Sequence, residues 1–367
     1  MKFTIDRDAL RGALTNALKG MDMASTLPIL SGILMTATDG TIQFESTNME
    51  VSIRQRCIAN VEEPGQVVAP CKLLSDIVGH LPDQAILFST DGTRLGISCG
   101  KSHYTVNTLA VQDFPAFPSY SLDSMVEVPT ESLSDMVNRV AVAASSDRNR
   151  SILNGVLVNI SQDKASFVTT DSVRLAVAET KIMSEVDNFE IIAPAKSLRS
   201  VLSLAASSKT ITIGTNKTQI IFLFDDVVYV SRRIEGTYPN YRKLIPSSHA
   251  TGLRVRMNDL YDAMQRIKAM TVSNSEVCFK VDVAGGLLVI TSNLPDQGNA
   301  REELDVEADG EDITIAFNSR FIFDCLQKGD ADAMVSFEAE SPFRPGIFRT
   351  KGKIDFLYLV MPVRPNY

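Results

Sequence analysis

The length of 367 residues suggests two or three domains, the formal charge of −8 argues against a surface that is basic all over, and the 44% apolar content is enough for several cores. No apolar run is long enough to cross a bilayer, and the opening Met1-Lys2-Phe3-Thr4-Ile5-Asp6 lacks the apolar stretch of a secretion signal, so a cytoplasmic protein is expected. The five cysteines, Cys57, Cys71, Cys99, Cys278 and Cys325, are odd in number and widely spaced, which favours small buried thiols over a disulfide framework or a zinc site.

The chain opens on a short strand from Lys2 to Ile5, a polar Asp6 and an amphipathic helix running to Gly20. Leu10, Leu14, Ala17 and Leu18 form its apolar stripe, and Arg7, Arg11 and Lys19 lie on another side. Asp39-Gly40 between two alternating runs predicts a tight hairpin, because both residues tolerate positive φ. Val67-Val68-Ala69 then leads through Pro70 into a second helix carrying Lys72; a proline there loses no needed donor. Asp91-Gly92 predicts another hairpin, and Phe114-Pro115-Ala116-Phe117-Pro118 reads as a linker or closing loop.

The pattern then begins again. Met125 to Pro129 is followed by a helix from Thr130 running on to Ser145, and Ile191-Ile192-Ala193-Pro194 by a helix in which Lys196, Arg199 and Ser203 share a face. Tyr238-Pro239-Asn240-Tyr241 repeats the aromatic, proline-bearing linker. A third round runs from Gly252 to Arg256 into a helix reaching Met270, which offers Arg266 and Lys268. It continues through a Gly285-Gly286 turn to Thr314-Ile315-Ala316-Phe317, Asn318 and Arg320. Leu10, Leu133 and Leu260 hold equivalent places, so the period is roughly 125 residues, about one domain. The expected architecture is α+β, with three repeated domains at 1–120, 121–247 and 248–367, each with two helices packed on antiparallel sheet.

Cations recur at equivalent helix positions: Lys72, Lys196 and Arg320 each stand two residues after the aligned Pro70, Pro194 and Asn318. On any one helix this reads as a solvated face; its recurrence suggests domains that point their helices at one common space. A basic lumen of that kind suits duplex DNA held by its phosphates, contacts that carry no sequence information and permit sliding. No phosphate-binding glycine loop, dinucleotide fingerprint or nucleophile elbow is present, and the three histidines, His80, His103 and His249, are far apart. Asp225-Asp226 and Glu302-Glu303 fit turns or strand edges better than a two-metal site. No cofactor or metal is expected. Two other readings stand beside the ring: a hydrolase or nuclease with Asp171 as its carboxylate, and a repeat-built peptide-binding scaffold without DNA encirclement.

Several stretches, in this order and spacing, resemble the bacterial DNA polymerase III β subunit family over essentially the whole chain. They are Lys2-Phe3-Thr4, Thr26-Leu27-Pro28-Ile29-Leu30, Leu153-Asn154-Gly155, Thr169-Thr170-Asp171-Ser172-Val173-Arg174-Leu175, Tyr238-Pro239-Asn240-Tyr241 and Val360-Met361-Pro362-Val363-Arg364. The resemblance implies a DNA-clamp fold closing as a head-to-tail dimeric ring with helices inside. It implies a non-catalytic processivity subunit whose partners are duplex DNA, a second copy of the chain, an ATP-driven clamp loader and the polymerase III alpha subunit. Other replication and repair polymerases and ligase would dock through short hydrophobic peptide motifs, and no membrane is involved.

The resemblance also assigns residues. A peptide pocket would comprise Leu153, Thr170, Ser172, Val173, Arg174, Leu175, Pro239, Lys243 and Leu244, completed by Leu359, Val360, Met361, Pro362, Val363 and Arg364. Its apolar side chains would anchor the peptide while Arg174 and Arg364 orient backbone or acidic groups. The matching DNA-facing positions are Lys72, Arg150 and Lys196; the repeat adds Arg199 and Arg320, and the first helix Arg7 and Arg11. A dimer contact would set Tyr104 against Thr271 and Val272. The chain departs from the family pattern at Ala24, where a DNA-facing arginine is usual, at Ser172, Val173 and Lys243 in the pocket, and in its short tail Pro365-Asn366-Tyr367.

Overall fold

A computed structural model describes residues 1–21, 26–147, 149–161, 163–181, 188–271, 275–294, 297–326 and 333–364. Ala24, Val272 and the tail 365–367 lie outside the described residues. Among those described there are six α-helices: α1 (Arg7–Lys19), α2 (Cys71–His80), α3 (Thr130–Val140), α4 (Ala195–Leu204), α5 (Met257–Lys268) and α6 (Ser319–Cys325). They occupy the six places that the repeat predicts.

Local chemistry accounts for the helix ends. Asp6 caps α1, its carboxylate accepting from the backbone N–H groups of Asp8 and Ala9. Pro70 stands at the N-cap of α2, and Asn318 caps α6 by accepting from the N–H of Arg320 at 3.0 Å. The third helix is shorter than its sequence pattern predicts. α3 ends at Val140 and passes into a 3-10 turn, Ala141–Ala143, well before Ser145. The Thr169 hydroxyl donates to the Val140 carbonyl and Arg174 Nη2 to the Val142 carbonyl at 2.6 Å. Side chains thus satisfy the end carbonyls that further helix would have used.

Both Asp-Gly pairs turn, by different means. Asp39 (φ 26°) and Gly40 (φ 76°) form the two-residue connection between Gly32–Thr38 and Thr41–Thr47. At the second pair only Gly92 takes positive φ; Asp91 instead accepts the N–H groups of Thr93 and Arg94 through its carboxylate, and pairing resumes at Thr90 and Leu95.

The chain forms two compact units, Met1–Glu131 with Lys196–Arg233, and Ser132–Ala195 with Ile234–Tyr367. The middle repeat is therefore shared between the units, and the cause is strand pairing across repeat boundaries. In the first unit Val227–Arg232 pairs with Val51–Ile58, with Tyr229 opposite Ile53, inside an eight-stranded antiparallel sheet. In the second, Arg174–Lys181 pairs with Asp355–Val360, with Leu175 opposite Leu359, inside a nine-stranded sheet. A five-stranded sheet completes the first unit and a four-stranded sheet the second.

The first unit buries Leu10, Ala13, Leu14 and Ala17 of α1 with Leu74 and Val78 of α2 and the stacked pair Phe3 and Phe88, ring centroids 4.9 Å apart. Leu18 is only half-buried at the edge of that stripe. In the second unit Phe279, Phe317, Phe337 and Phe348 pack mostly edge to face. A further cluster there joins Leu175, Leu359 and Ile347 to Tyr238 and Tyr241 of the second linker. All five cysteines are free thiols, and burial pushes the Cys71 thiol up to about 12.

Candidate functional site

An apolar cleft of about 430 Å³ opens on the surface of the second unit. Its floor is Leu175 and Leu359, directly opposite one another on paired strands. One wall is the turn from Thr170 to Arg174, which is fixed by its own side chains. Thr170 Oγ1 donates to the Arg174 carbonyl at 2.7 Å and accepts from the N–H of Ser172. Asp171 Oδ1 accepts the N–H groups of Val173 and Arg174, each at 3.0 Å. Ser172 closes the turn at φ 83°, a left-handed conformation that costs a side-chain-bearing residue free energy and is held by these bonds.

The linker adjoins this turn and adds to the lining. Tyr238 and Tyr241 are buried, and the Tyr238 hydroxyl accepts from the N–H of Thr170 at 3.1 Å. Burial raises the Tyr238 pKa well above the usual phenol value. With its aromatic residues held inside, the 3-10 turn Tyr241–Leu244 presents Lys243 and an exposed Leu244 to the cleft. Met361, 40% exposed, follows the last strand and donates its N–H to the Val173 carbonyl at 2.8 Å.

Of the residues assigned from the sequence, Thr170, Ser172, Val173, Arg174, Leu175, Lys243, Leu244, Leu359 and Met361 line this one cleft. Val360 does not: it is fully buried, because neighbours along a strand face opposite sides and its flanking residues take the cleft side. Leu153 lies in a separate 3-10 turn, Ser151–Asn154, and Pro239 is exposed on the linker. Val363 donates its N–H to Ala316, carrying Pro362 and Arg364 along the neighbouring strand.

Arg174 lines the cleft with its guanidinium turned into the protein. Its side chain is 7% exposed, and its nitrogens are spent inside the protein. Nε donates to Asp171 at 2.9 Å, Nη1 to Asp324 at 2.5 Å and to the Tyr358 hydroxyl at 3.2 Å, and Nη2 to the Val142 carbonyl. The guanidinium also stacks 4.3 Å from the centre of the Phe321 ring. Burial works against its charge, but Tyr358 and the bonds to Asp324 and Asp171 outweigh that and raise its pKa. The same bonds occupy both oxygens of Asp171, the carboxylate that a hydrolase would have needed.

Sequence reasoning missed Ile245, Pro246, Glu340, Phe343, Arg344 and Pro345, which complete the lining. Phe343 carried a signal: it sits in Ser341-Pro342-Phe343-Arg344-Pro345, a proline-bearing turn with no alternating pattern to bury it, and it is 77% exposed.

The assigned cations divide. Arg11, Lys72, Lys196, Arg199 and Arg320 are exposed on α1, α2, α4 and α6. Lys72 pairs with Asp76 at 2.5 Å. Arg7 is tied down: it donates to the Leu81 carbonyl at 3.0 Å and to Asp8 at 3.1 Å, with Asp83 at 3.5 Å, so it clasps the end of α2 instead of offering a free charge. Arg150 sits beside the cleft, its Nη1 donating to Ser172 Oγ at 3.3 Å. Tyr104 is 42% exposed on Ser102–Asn107, an edge strand of the five-stranded sheet, and Thr271 is half-buried after α5 with its hydroxyl on the Lys268 carbonyl. Among the described residues no group of three or more His, Cys, Asp or Glu could hold a metal ion, and no helix is long and apolar enough to cross a membrane.

Family models of the DNA polymerase III beta subunit match along the chain: the N-terminal domain over residues 1–118, the central domain over 127–240 and the C-terminal domain over 242–364. A beta sliding clamp of Caulobacter vibrioides is 31% identical over 375 residues, covering 99% of this chain and 100% of that one. The solved DNA polymerase sliding clamp of Bacillus subtilis matches with a TM-score of 0.93 at 26% identity, over 100% of both chains. A sliding clamp from Bartonella birtlesii, solved bound to griselimycin, matches with a TM-score of 0.90 at 26% identity, again over 100% of both. The class so defined is the three-domain clamp fold, mixed helices on antiparallel sheet. The chain belongs to the DNA polymerase III beta subunit family, the beta sliding clamps of DNA replication.

Proposed function

We propose that this clamp acts in the cytoplasm as a head-to-tail homodimeric ring around duplex DNA, without chemistry of its own, and tethers the polymerase III alpha subunit through the cleft on its second unit. An ATP-driven loader opens the ring, and other replication and repair polymerases and ligase take turns at the same cleft. The domains of the ring are 1–120, 121–247 and 248–367.

The observation that carries this reading is the cleft. It is preformed, of ligand size, floored by aliphatic side chains and rimmed by exposed Leu244, Phe343 and Met361. Such a site holds a short apolar segment by burial and fixes it with a few polar groups. The binding of griselimycin by the Bartonella birtlesii clamp supports a ligand-binding clamp surface.

Exposed Arg11, Lys72, Lys196, Arg199 and Arg320 support the DNA-facing assignment. Tyr104 supports the dimer, because its strand Ser102–Asn107 leaves one edge unpaired among the described residues, as Gly298–Asp305 does in the four-stranded sheet. Free edges of that kind invite pairing with another chain.

A second reading, a peptide-binding scaffold that does not encircle DNA, draws on the net charge of −8 and on Arg7 and Lys72, whose charges are met by carboxylates. The deciding experiment is retention on nicked circular plasmid after loading with a clamp loader and ATP. Protein that survives high salt on the circle and runs off after linearisation is topologically linked. Protein that washes off the circle after confirmed loading leaves the scaffold.

A further inference from the structure

Asp324 lies on α6 and does not line the cleft, yet a continuous path of short polar contacts leads from it to the cleft wall. Asp324 Oδ2 accepts from Arg174 Nη1 at 2.5 Å. Arg174 Nε donates in turn to Asp171 Oδ2 at 2.9 Å. The other oxygen of Asp171 receives the N–H of Val173, whose carbonyl receives the N–H of Met361 at 2.8 Å. The path ends on Val173 and Met361, two of the exposed apolar side chains in the cleft.

A guanidinium has five N–H donors, and at least four are used here, on Asp171, Asp324, Tyr358 and the Val142 carbonyl. The planar fork fixes the direction of each bond, so the position of Asp324 helps to set the plane of the guanidinium, and that plane sets where Asp171 stands. Asp171 then defines the turn, which holds Ser172 at φ 83° against its own preference. A conformation of that kind persists only where its surroundings over-determine it.

We infer that Asp324 is a positioning residue for peptide docking: through Arg174 and Asp171 it holds the 170–174 turn in the shape that presents Val173 and Met361. Arg174, whose guanidinium is held within the wall, is the link between Asp324 and Asp171. The inference rests on the cleft being the peptide site. It further makes α6, which carries Arg320 one turn before Asp324, mechanically continuous with the cleft wall.

The test uses the full chain and a fluorescein-labelled peptide carrying the clamp-binding segment of the polymerase III alpha subunit. Wild type and Met361→Ala come first: binding by wild type that weakens in Met361→Ala upholds the cleft as the peptide site, and no binding by wild type removes both that reading and this inference. Asp324→Ala is then expected to lower peptide affinity about fivefold or more, while Asp324→Asn, which keeps an acceptor oxygen, retains most of it. A loss of global stability alone would not move the cleft in the folded protein, so the Met361 methyl resonance is followed in peptide-free, ¹³C-methyl-methionine protein. It should shift in Asp324→Ala and stay near its wild-type position in Asp324→Asn. If Asp324→Ala does not fold, Tyr358→Phe, which deletes a neutral partner of the same guanidinium, is read in the same two ways. Peptide affinity within twofold of wild type together with an unmoved Met361 resonance overturns the inference, and leaves the cleft reading intact.

Discussion

The backbone N–H of Thr170 donates to the hydroxyl of Tyr238 at 3.1 Å, tying the wall of the cleft to a linker 68 residues further along the chain. The donor is buried, so removing its acceptor leaves an unsatisfied amide. Tyr238→Phe is therefore expected to cost about 1–3 kcal/mol of unfolding free energy, with a weaker peptide affinity, measured by urea denaturation and peptide titration of the same samples. Unchanged stability would mean that water replaces the hydroxyl.

The rim of the cleft makes a complementary prediction. Leu244 is 53% and Met361 40% exposed, so truncating either removes little of the folded core. Leu244→Ala and Met361→Ala should each lower peptide affinity about 5- to 30-fold, the range for truncating an apolar anchor, while unfolding free energy moves by no more than about 0.5 kcal/mol. Fluorescence polarisation and thermal melts separate the two effects.

Reversing charge on the helices tests the DNA-facing assignment. Lys72→Glu, Lys196→Glu and Arg320→Glu together turn three exposed cations into anions, which would repel phosphate if these positions face DNA. Loading onto nicked circular DNA should be abolished and peptide binding retained. Arg7 is left out of this set because it holds the Leu81 carbonyl, and its loss would confuse folding with DNA contact. Normal loading of the triple variant would place the DNA elsewhere.

The buried thiol of Cys71 predicts a pH dependence. Burial raises its pKa from the ordinary thiol value near 9 to about 12, so the unfolded chain releases this proton at lower pH than the folded one does. The stability this group contributes is fully present below pH 9 and is lost as pH rises toward 12, at up to about 1.4 kcal/mol per pH unit. Cys71→Ala should flatten that part of the profile in denaturation curves taken from pH 8 to 11, despite a lower overall stability from the lost packing. An unaltered alkaline slope would assign it to other groups, such as Tyr238.

Much of this protein is decided locally and so is legible in its sequence. The three rounds of strand, cap and helix follow from alternation, helical spacing and capping residues such as Asp6 and Asn318, each acting within a few positions of itself. The cleft wall from Thr170 to Leu175 is likewise a local motif, closed by its own threonine and aspartate. Tertiary structure alone decided which repeats share a sheet, because pairing of Leu175 with Leu359 and of Tyr229 with Ile53 joins strands far apart in the chain. It also decided the fate of the arginines. Arg7, Arg150 and Arg174 look alike in sequence as basic residues near a motif, but one caps α2, one reaches Ser172 and one is buried between Asp171 and Asp324. A long cationic side chain takes its role from whichever acceptors the fold brings within hydrogen-bond reach, and those acceptors stand up to 150 residues away.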